Sequence, residues 1–332
     1  MTTLVHPAPS PAYTPQDVEL SRLDSTSSVL TAPPPYDEAA AASFHPTLHL
    51  QIETPGKHWF SLPLPPRPDP VPIFTLHPEE SSSSAISHTP KFTSFRPERC
   101  SGSCYLTSES NTTLSTTTYR FGPKRPPHVQ LFSPTPSPIS STTQQSTLSP
   151  NDDHPAENEW DTFTLTSLGL LTRSIAFRAR LGTFQWRYAS RKERQAHSRS
   201  YGSGISSLLV LERVVRVAHA RNTPSSSSSH TGSKDEEVRT VVAHFLRGGA
   251  YRAAGSSGSS AGNGGRLVID ELALGTGAGA EGGLEWAAEE RKEDREMGVV
   301  MVVTTCLVML KREIDRRRAQ QAAIMAGAAG GS

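Results

Sequence analysis

A stretch of 14 residues without a charged side chain, Met297–Leu310, most constrains what this chain can fold into. A helix of this composition is apolar on every side, so it has to be buried on all sides. A membrane span needs about 20 apolar residues, whereas this run is shorter and contains two threonines, Thr304 and Thr305. We predict a buried core helix about 15 to 25 residues long. A membrane span is one alternative, and a buried strand that leads into a helix is another, because the run is rich in β-branched valine.

The chain ahead of this stretch has to supply the walls that bury it, and many of its apolar residues alternate with polar ones as they do in β-strands. Alternation is strict in Leu48–Glu53, and Pro55-Gly56 follows as a turn. Two longer runs, Leu208–Val217 and Glu236–Arg247, are compatible with a strand or a helix. The other strand candidates are Val71–Leu76, Lys91–Phe95, Ser103–Thr107, Thr117–Phe121, His128–Phe132 and Arg266–Ile269. Short strands separated by turns predict a mainly β fold, an antiparallel barrel or sandwich with the buried C-terminal helix.

The clearest hairpin lies between Ile175 and Tyr188, where two alternating runs flank a turn predicted at Gly182-Thr183. One face is aromatic and is assigned to the core; it carries Phe177, Phe184, Trp186 and Tyr188. The other face is basic; it carries Arg178, Arg180 and Arg187, and Arg191, Lys192 and Arg194 lie just past it.

These bases form a candidate site for the phosphate groups of anionic membrane lipids. The candidate residues are Arg178, Arg180, Arg187, Arg191 and Lys192. The alternative is a solvated outer face that keeps a sheet edge soluble. Because the aromatic residues lie on the face opposite the arginines, they are assigned to the core rather than to base stacking, and we expect no nucleic-acid partner.

Residues 1–45 are rich in proline, serine, threonine and alanine, and such a segment cannot bury enough apolar area to offset the entropy of ordering it. We predict that this tail is disordered. Within it, Pro33, Pro34, Pro35 and Tyr36 match the P-P-x-Y peptide that WW domains bind, with the prolines in an aromatic groove and the tyrosine in a second pocket. They are a candidate docking site for a WW-domain protein such as a ubiquitin ligase. The alternative is a chance match in a proline-rich tail.

Composition divides the rest of the chain into a single β-rich domain, residues 46–325, and a flexible C-terminus, residues 326–332. Three low-complexity segments, rich in serine and threonine or in glycine, interrupt the domain and are predicted to be loop inserts. The inserts are 133–157, 222–233 and 248–265.

Neither composition nor motifs indicate an enzyme. The net charge is +1, which gives no global field for nucleic acid. Three cysteines are too few for a disulfide framework, and Cys100 and Cys104 lack the further ligands that zinc needs. Gly255–Gly265 lacks the lysine and hydroxyl of a phosphate-binding loop. We expect a non-catalytic protein without a metal or another cofactor, and the lack of a secretory signal favours the cytoplasm, with peripheral attachment to a membrane as the alternative.

Short strands followed by an apolar C-terminal helix with a charged end resemble the tubby C-terminal-like group, which includes scramblase-like and LURP-one-like proteins. In that group a β-barrel closes around a central hydrophobic helix, so the resemblance implies a barrel from residues 46–274 around Met297–Leu310. Trp186 and Arg187 resemble the strand patterns of the group, and the segments Trp186–Lys192 and Ala261–Leu267 are similar to fungal proteins. Some members bind phosphoinositides, but no lipid-binding motif of the group maps onto individual residues here.

Two functions are compatible with these patterns. The leading hypothesis is a non-catalytic intracellular interaction or adaptor protein that docks a WW-domain partner through its tail. The rival is a peripheral phosphoinositide- or membrane-binding module that uses the basic sheet face. An adaptor needs Tyr36 and tolerates changes to the arginines, whereas lipid binding needs the arginines and weakens as salt is added. An enzyme would require a deep polar pocket with converging ionisable side chains.

Overall fold

The computed structural model describes most of the chain from Phe44 onwards. The described residues are 44–58, 62, 70–76, 87–98, 102–119, 125–133, 159–169, 172–201, 204–217, 236–253, 256–258, 260–275 and 285–329. The Pro33–Tyr36 peptide, the insert 222–233 and all of the insert 133–157 except Ser133 therefore lie outside the described residues.

The described residues form thirteen strands and three helices. The strands are β1 Leu48–Ile52, β2 Val71–Leu76, β3 Phe92–Phe95, β4 Cys104–Ser108, β5 Thr113–Thr118, β6 His128–Phe132, β7 Glu159–Thr164, β8 Thr166–Ser167, β9 Ile175–Ala179, β10 Gly182–Tyr188, β11 Ile205–Val217, β12 Glu236–Gly248 and β13 Gly265–Ile269. The helices are α1 Arg191–Tyr201, α2 Glu271–Leu274 and α3 Glu285–Ala329. The mainly β fold class is confirmed.

All thirteen strands belong to one antiparallel sheet. Its order is β7-β6-β5-β4-β3-β2-β1-β13-β12-β11-β10-β9-β8. The first strand pairs with the last along a continuous register, from Leu48 opposite Ile269 to Ile52 opposite Gly265. This pairing joins the two halves of the chain, so the sheet is built from two meanders that meet at β1 and β13.

The sheet curls until β7 approaches β9, and the result is a nearly closed barrel. The two edge strands of the sheet, β7 and β8, are joined by a single residue, Leu165. Strand β7 pairs with β6, and β8 pairs with β9. Across the gap, the rings of Phe163 and Phe177 stack with centroids 5.1 Å apart. The backbone N–H of Arg180 donates to Oδ2 of Asp161 over 2.6 Å. A side-chain seam thus completes the wall where strand pairing is interrupted.

Helix α3 fills the barrel with its apolar stretch. The side chains from Met297 to Leu310 are buried, apart from a partly buried Leu307, and pack against the inward residues of the strands. Two polar contacts set the helix rotation: the Ser115 and Thr304 hydroxyls lie 2.7 Å apart, and Trp186 Nε1 donates to Thr305 Oγ1 over 3.0 Å. The buried core helix is confirmed. None of the described helices contains an apolar window long enough to cross a bilayer.

Helix α3 is longer than predicted, at 45 residues. The charged segments on both sides of the apolar run are rich in alanine, glutamate, lysine and arginine, which are strong helix formers, so the helix continues beyond the barrel at each end. The predicted length of about 15 to 25 residues covered the apolar run and only part of the charged segments beside it.

Two local predictions differ from the structure. The turn of the β9–β10 hairpin is Arg180-Leu181 rather than Gly182-Thr183, because Gly182 pairs with Ala179 as the first residue of β10. Strand β5 ends at Thr118, earlier than predicted, since its threonine-rich sequence gives no apolar alternation to mark its bounds. Most of the run predicted as the loop insert 248–265 connects β12 to β13, and its described residues include the buried Tyr251 and Asn263.

Helix α1 was not predicted, although its start carries a recognisable signal. Ser190 and Glu193 form a capping box: Ser190 N–H donates to Glu193 Oε2 over 2.6 Å, and Glu193 N–H donates to Ser190 Oγ over 3.2 Å. The pattern S-x-x-E at a helix start satisfies two backbone donors reciprocally.

Candidate functional site

A groove opens at the end of the barrel from which the C-terminal part of α3 emerges. It consists of two adjoining pockets of about 450 and 530 Å³ that share Arg173, Tyr188, Ser206 and Ser207. We call it the basic groove. Its lining consists of Arg173, Ser174, Tyr188, Ala189, Arg194, Ser206, Ser207, Leu208, Arg247, Gly258, Ser260, Ala261, Asn263, Glu313, Arg316 and Arg317.

The charge of the lining is strongly one-sided. Five arginines face one acidic residue, Glu313, and the remaining polar lining is hydroxyl or amide. Guanidinium groups bind phosphate and carboxylate oxygens through paired N–H donors, and their charge does not depend on pH in the physiological range. The groove therefore has the donor set and the electrostatic sign for an anion.

Glu313 does not neutralise the groove, because it is already paired at the floor. Arg247 binds it in a bidentate manner, with NH1 2.5 Å from Oε2 and NH2 2.7 Å from Oε1, and both side chains are buried. Gly262 N–H donates to Oε2 over 3.0 Å, and the Tyr188 hydroxyl donates to Oε1. The groove also contains four further arginines, Arg173, Arg194, Arg316 and Arg317, so positive charge exceeds negative charge in its lining.

The buried pair keeps its charges at physiological pH. Burial opposes ionisation of Glu313, but the hydrogen bonds and charge of Arg247 outweigh burial and lower the pKa of Glu313. Burial also opposes the charged form of Arg247, and the bonds to Glu313 raise its pKa in turn. Burial next to the Glu313 charge raises the pKa of Tyr188 to about 12. The floor is thus a fixed ion pair with a neutral phenol.

The rim bases come from three separate elements. Arg173 precedes β9 and stands over the ring of Tyr188, 5.6 Å from its centroid. Arg194 is supplied by α1; its NH1 donates to the carbonyl of Ser206 over 2.9 Å, while its Nε is buried with no acceptor among the described residues. Arg316 and Arg317 lie on α3, just past the floor. Guanidinium groups from the segment before β9, from α1 and from α3 thus line one groove.

One glycine allows the floor to form. Gly262 has φ +65°, in the left-handed region, and a Cβ there would stand 2.5 Å from the Leu310 carbonyl oxygen and 2.5 Å from Cγ1 of Ile314. Only glycine fits this close approach of loop to helix. Through it, the loop before β13 brings the Gly262 N–H to Glu313 and the Asn263 side chain to Arg247.

The predicted basic face is divided among several contacts. Arg187 is held between two carboxylates, with NH2 2.7 Å from Glu193 Oε1 and 2.6 Å from Glu212 Oε1. These hydrogen bonds raise the pKa of Arg187 and lower the pKa of Glu193 to about 2. Arg180 lies 5.1 Å from the centroid of Trp160 and 3.8 Å from Oδ1 of Asp294. Both arginines thus serve structural contacts.

The other predicted bases are exposed but lie apart. Arg178 lies on β9, where it lines a different surface hollow together with Arg216 and Arg239. Arg191 and Lys192 occupy the first turn of α1. Of the bases noted in the sequence near the hairpin, the basic groove contains Arg194. Arg173, just before β9, also lines the groove. Arg247, Arg316, Arg317 and Glu313 come from distant parts of the chain, and no local pattern marked them.

The groove holds no side chain suited to proton transfer near neutral pH. Tyr188 is protonated and Glu313 is ionised and fully bonded, whereas a general acid or base works best with a pKa near the working pH. In the described residues, no three His, Cys, Asp or Glu side chains are close enough to hold a metal ion.

Comparison with protein-family models, with curated proteins and with solved structures found no match to this chain.

Proposed function

We propose that the folded barrel is a non-catalytic binding module whose basic groove holds a phosphate-bearing anion. The observation that carries the proposal is the excess of guanidinium groups in one groove whose only carboxylate is already paired. Arg173, Arg194, Arg316 and Arg317 are positioned to contact phosphate oxygens, and the Ser207 hydroxyl, which accepts from Arg247 NH2, adds a neutral donor. A phosphate offers several acceptors at once, which suits such a ring of donors.

The floor supports a role in binding rather than in catalysis. The Arg247–Glu313 pair fixes α3 against β12 and holds Tyr188 in place. The arginines around the opening of the groove are therefore attached to a rigid framework. A preformed site avoids the entropy cost of ordering its donors when the ligand arrives. A lipid headgroup and a free phosphorylated metabolite present the same chemistry to such a groove.

Calorimetric titration of the full chain with inositol hexakisphosphate tests the proposal. We expect saturable binding that weakens as salt is added, because the contacts are between charges. Changing Arg173→Ala together with Arg316→Ala should weaken binding on the order of 30-fold, since two charge-assisted hydrogen bonds are lost.

The matched control is Arg178→Ala together with Arg216→Ala, which removes the same charge from the hollow beside β9. Its affinity should equal that of the unchanged chain. If the control loses affinity and the groove variant keeps it, the ligand binds at the sheet face predicted from the sequence, and the proposal for the groove is wrong. No binding by the unchanged chain would also reject it.

A second proposed function belongs to the tail, and the Pro33–Tyr36 peptide supports it. A P-P-x-Y sequence in a segment predicted to be disordered is accessible to a WW domain, so the chain would act as an adaptor between a WW-domain protein and the ligand of the barrel. Affinity purification of the full chain beside Tyr36→Ala tests this. A WW-domain protein captured by the first and lost by the second is the expected result; identical partner sets would reject it.

The family assignment also stays a proposal. A nearly closed sheet around a buried C-terminal helix supports membership of the tubby C-terminal-like group, because that arrangement is what the sequence resemblance implied. We further propose a cytoplasmic protein that reaches a membrane only peripherally.

A further inference from the structure

We propose that the phosphate-bearing ligand of the basic groove is part of an anionic lipid bilayer, and that the exposed end of α3 enters the interface of that bilayer. This rests on the anion binding proposed above for the groove. The partner is thus a lipid surface contacted at two points, by the arginines of the rim and by an apolar helix end.

Helix α3 continues past the groove as an exposed segment. Gln321 is buried, with 7% of its surface exposed, and its Nε2 donates to the carbonyl of His58 over 2.9 Å. Residues 322–327 are exposed, and the helix runs to Ala329. At 1.5 Å per residue, the helix extends about 12 Å beyond Gln321.

This segment is apolar although it faces solvent. It reads Ala-Ala-Ile-Met-Ala-Gly-Ala-Ala and has no charged or polar side chain. Ile324 is 58% exposed and Met325 is 53% exposed, which places them among the most exposed large apolar residues of the described chain. Two adjacent large apolar side chains at the end of a projecting helix mark a contact with another apolar phase.

The charges just below the apolar end have the sign that an anionic bilayer attracts. Arg316 and Arg317 precede it. Asp315, the acidic residue before them, is paired with Lys311 Nζ at 2.5 Å and with Arg318 NH1 at 3.5 Å. Each base near an anionic surface contributes about 1 kcal/mol of attraction. Arg317 and Met325 are eight residues apart, so Met325 lies about 12 Å further along the axis. This distance would allow lipid phosphates to contact the arginines while Met325 contacts the acyl chains of the same bilayer.

The shape of the segment favours a bilayer over a protein groove. A helix recognised by a protein groove presents large apolar anchors along one stripe, at spacings of three, four and seven residues. Here Ile324 and Met325 are consecutive and point in directions about 100° apart, and alanine and glycine surround them. An apolar end without a stripe is suited to a medium that surrounds it on all sides.

Vesicle sedimentation tests the proposal with phosphatidylcholine vesicles that contain or lack phosphatidylserine. The full chain should bind only the phosphatidylserine vesicles. The variant with Ile324→Ser and Met325→Ser should bind them about ten-fold less tightly, because two large side chains no longer enter the interface. The same variant should bind inositol hexakisphosphate as tightly as the unchanged chain. A matched control with Ala322→Ser and Ala323→Ser, which changes polarity but removes no large side chain, should keep most of the vesicle binding.

The two binding measurements, with vesicles and with inositol hexakisphosphate, distinguish failure of the bilayer proposal from failure of the groove proposal. We expect the double variant Arg173→Ala with Arg316→Ala to lose binding of both inositol hexakisphosphate and vesicles. We expect the double variant Ile324→Ser with Met325→Ser to lose binding of vesicles alone. Binding of inositol hexakisphosphate without binding of vesicles, or vesicle binding that the serine variant leaves unchanged, overturns the bilayer proposal and retains the groove. If neither ligand binds, both proposals fall. If the serine variant changes only the mass of the particle in solution, the helix end is a contact between copies, and the bilayer proposal is wrong.

Discussion

Glu313 is the residue on which the end of the barrel depends. It accepts hydrogen bonds from Arg247, Tyr188 and Gly262, so one carboxylate joins α3 to three parts of the wall. Removal of one partner from a buried ion pair leaves the other charge uncompensated, whereas replacement of both by apolar groups is tolerated far better.

The variant Glu313→Gln should therefore lower the free energy of unfolding by about 3 kcal/mol, because Arg247 stays buried without its counter-charge. Urea denaturation measures this. The double variant Arg247→Met with Glu313→Leu is the control and should be more stable than Glu313→Gln. Stability equal to that of the unchanged chain in Glu313→Gln would show that the pair is not buried in solution.

Helix α1 is the element whose attachment should depend most on pH. It rests on the outer face of the barrel, where the ring of His197 lies 4.5 Å from that of His244 and Arg187 bonds to Glu193. Burial, with help from the nearby charges of His197 and Arg187, lowers the pKa of His244 to about 3, so His244 is neutral in the folded chain.

Acid should therefore loosen α1. Between the ordinary histidine pKa of 6.5 and the folded value of about 3, the unfolded chain binds a proton that folded His244 excludes, so stability falls as pH falls through that window. Glu193 acts in the same direction from 4.5 down to its pKa of about 2. Hydrogen exchange should show less protection of residues 191–201 at about pH 5 than at about pH 7, with β13 unchanged.

The variant His244→Phe is the control for this prediction, since it fills the site without a titrating group. It should remove most of the pH dependence between about pH 5 and about pH 7. Equal acid sensitivity in this variant would mean that another group controls the helix. Because α1 supplies Arg194 to the basic groove, loosening of α1 should also weaken anion binding.

The rotation of α3 inside the barrel rests on its threonines. The Ser115 and Thr304 hydroxyls lie 2.7 Å apart in a buried environment. Thr304→Val keeps the shape of the side chain but leaves Ser115 unpaired, so we expect a loss of about 1 to 2 kcal/mol by urea denaturation. Ser115→Ala with Thr304→Val removes both hydroxyls and should regain much of that loss. A double variant as unstable as the single one would count against the pairing.

For the molecule as a whole, the sequence predicted the parts better than their arrangement. Alternation in Leu48–Ile52 and in the β9–β10 hairpin, and the uncharged stretch in α3, are local signals, and each predicted the right element. The pairing of β1 with β13 is not local, and no pattern in either strand names its partner. The order of the sheet was therefore beyond prediction from single segments.

The basic groove escaped prediction for the same reason. Arg173, Arg194, Arg247 and Arg316 belong to different elements and meet only after the sheet curls. Arg187 was assigned to the exposed basic face, but Glu193 and Glu212, which neutralise it, lie on neighbouring elements. A count of charges along the sequence does not show that these arginines come together in one groove, or that carboxylates neutralise Arg187. Both depend on contacts between distant segments.

The location of anion binding tests the central claim most directly, by hydrogen exchange of the full chain with and without inositol hexakisphosphate. We expect the ligand to raise protection in residues 204–208, 256–263 and 311–317, which surround the basic groove, and to have no such effect in Arg173→Ala with Arg316→Ala. Protection confined to β9, β10 and the start of α1, or no change anywhere, would contradict the assignment of the groove as the binding site.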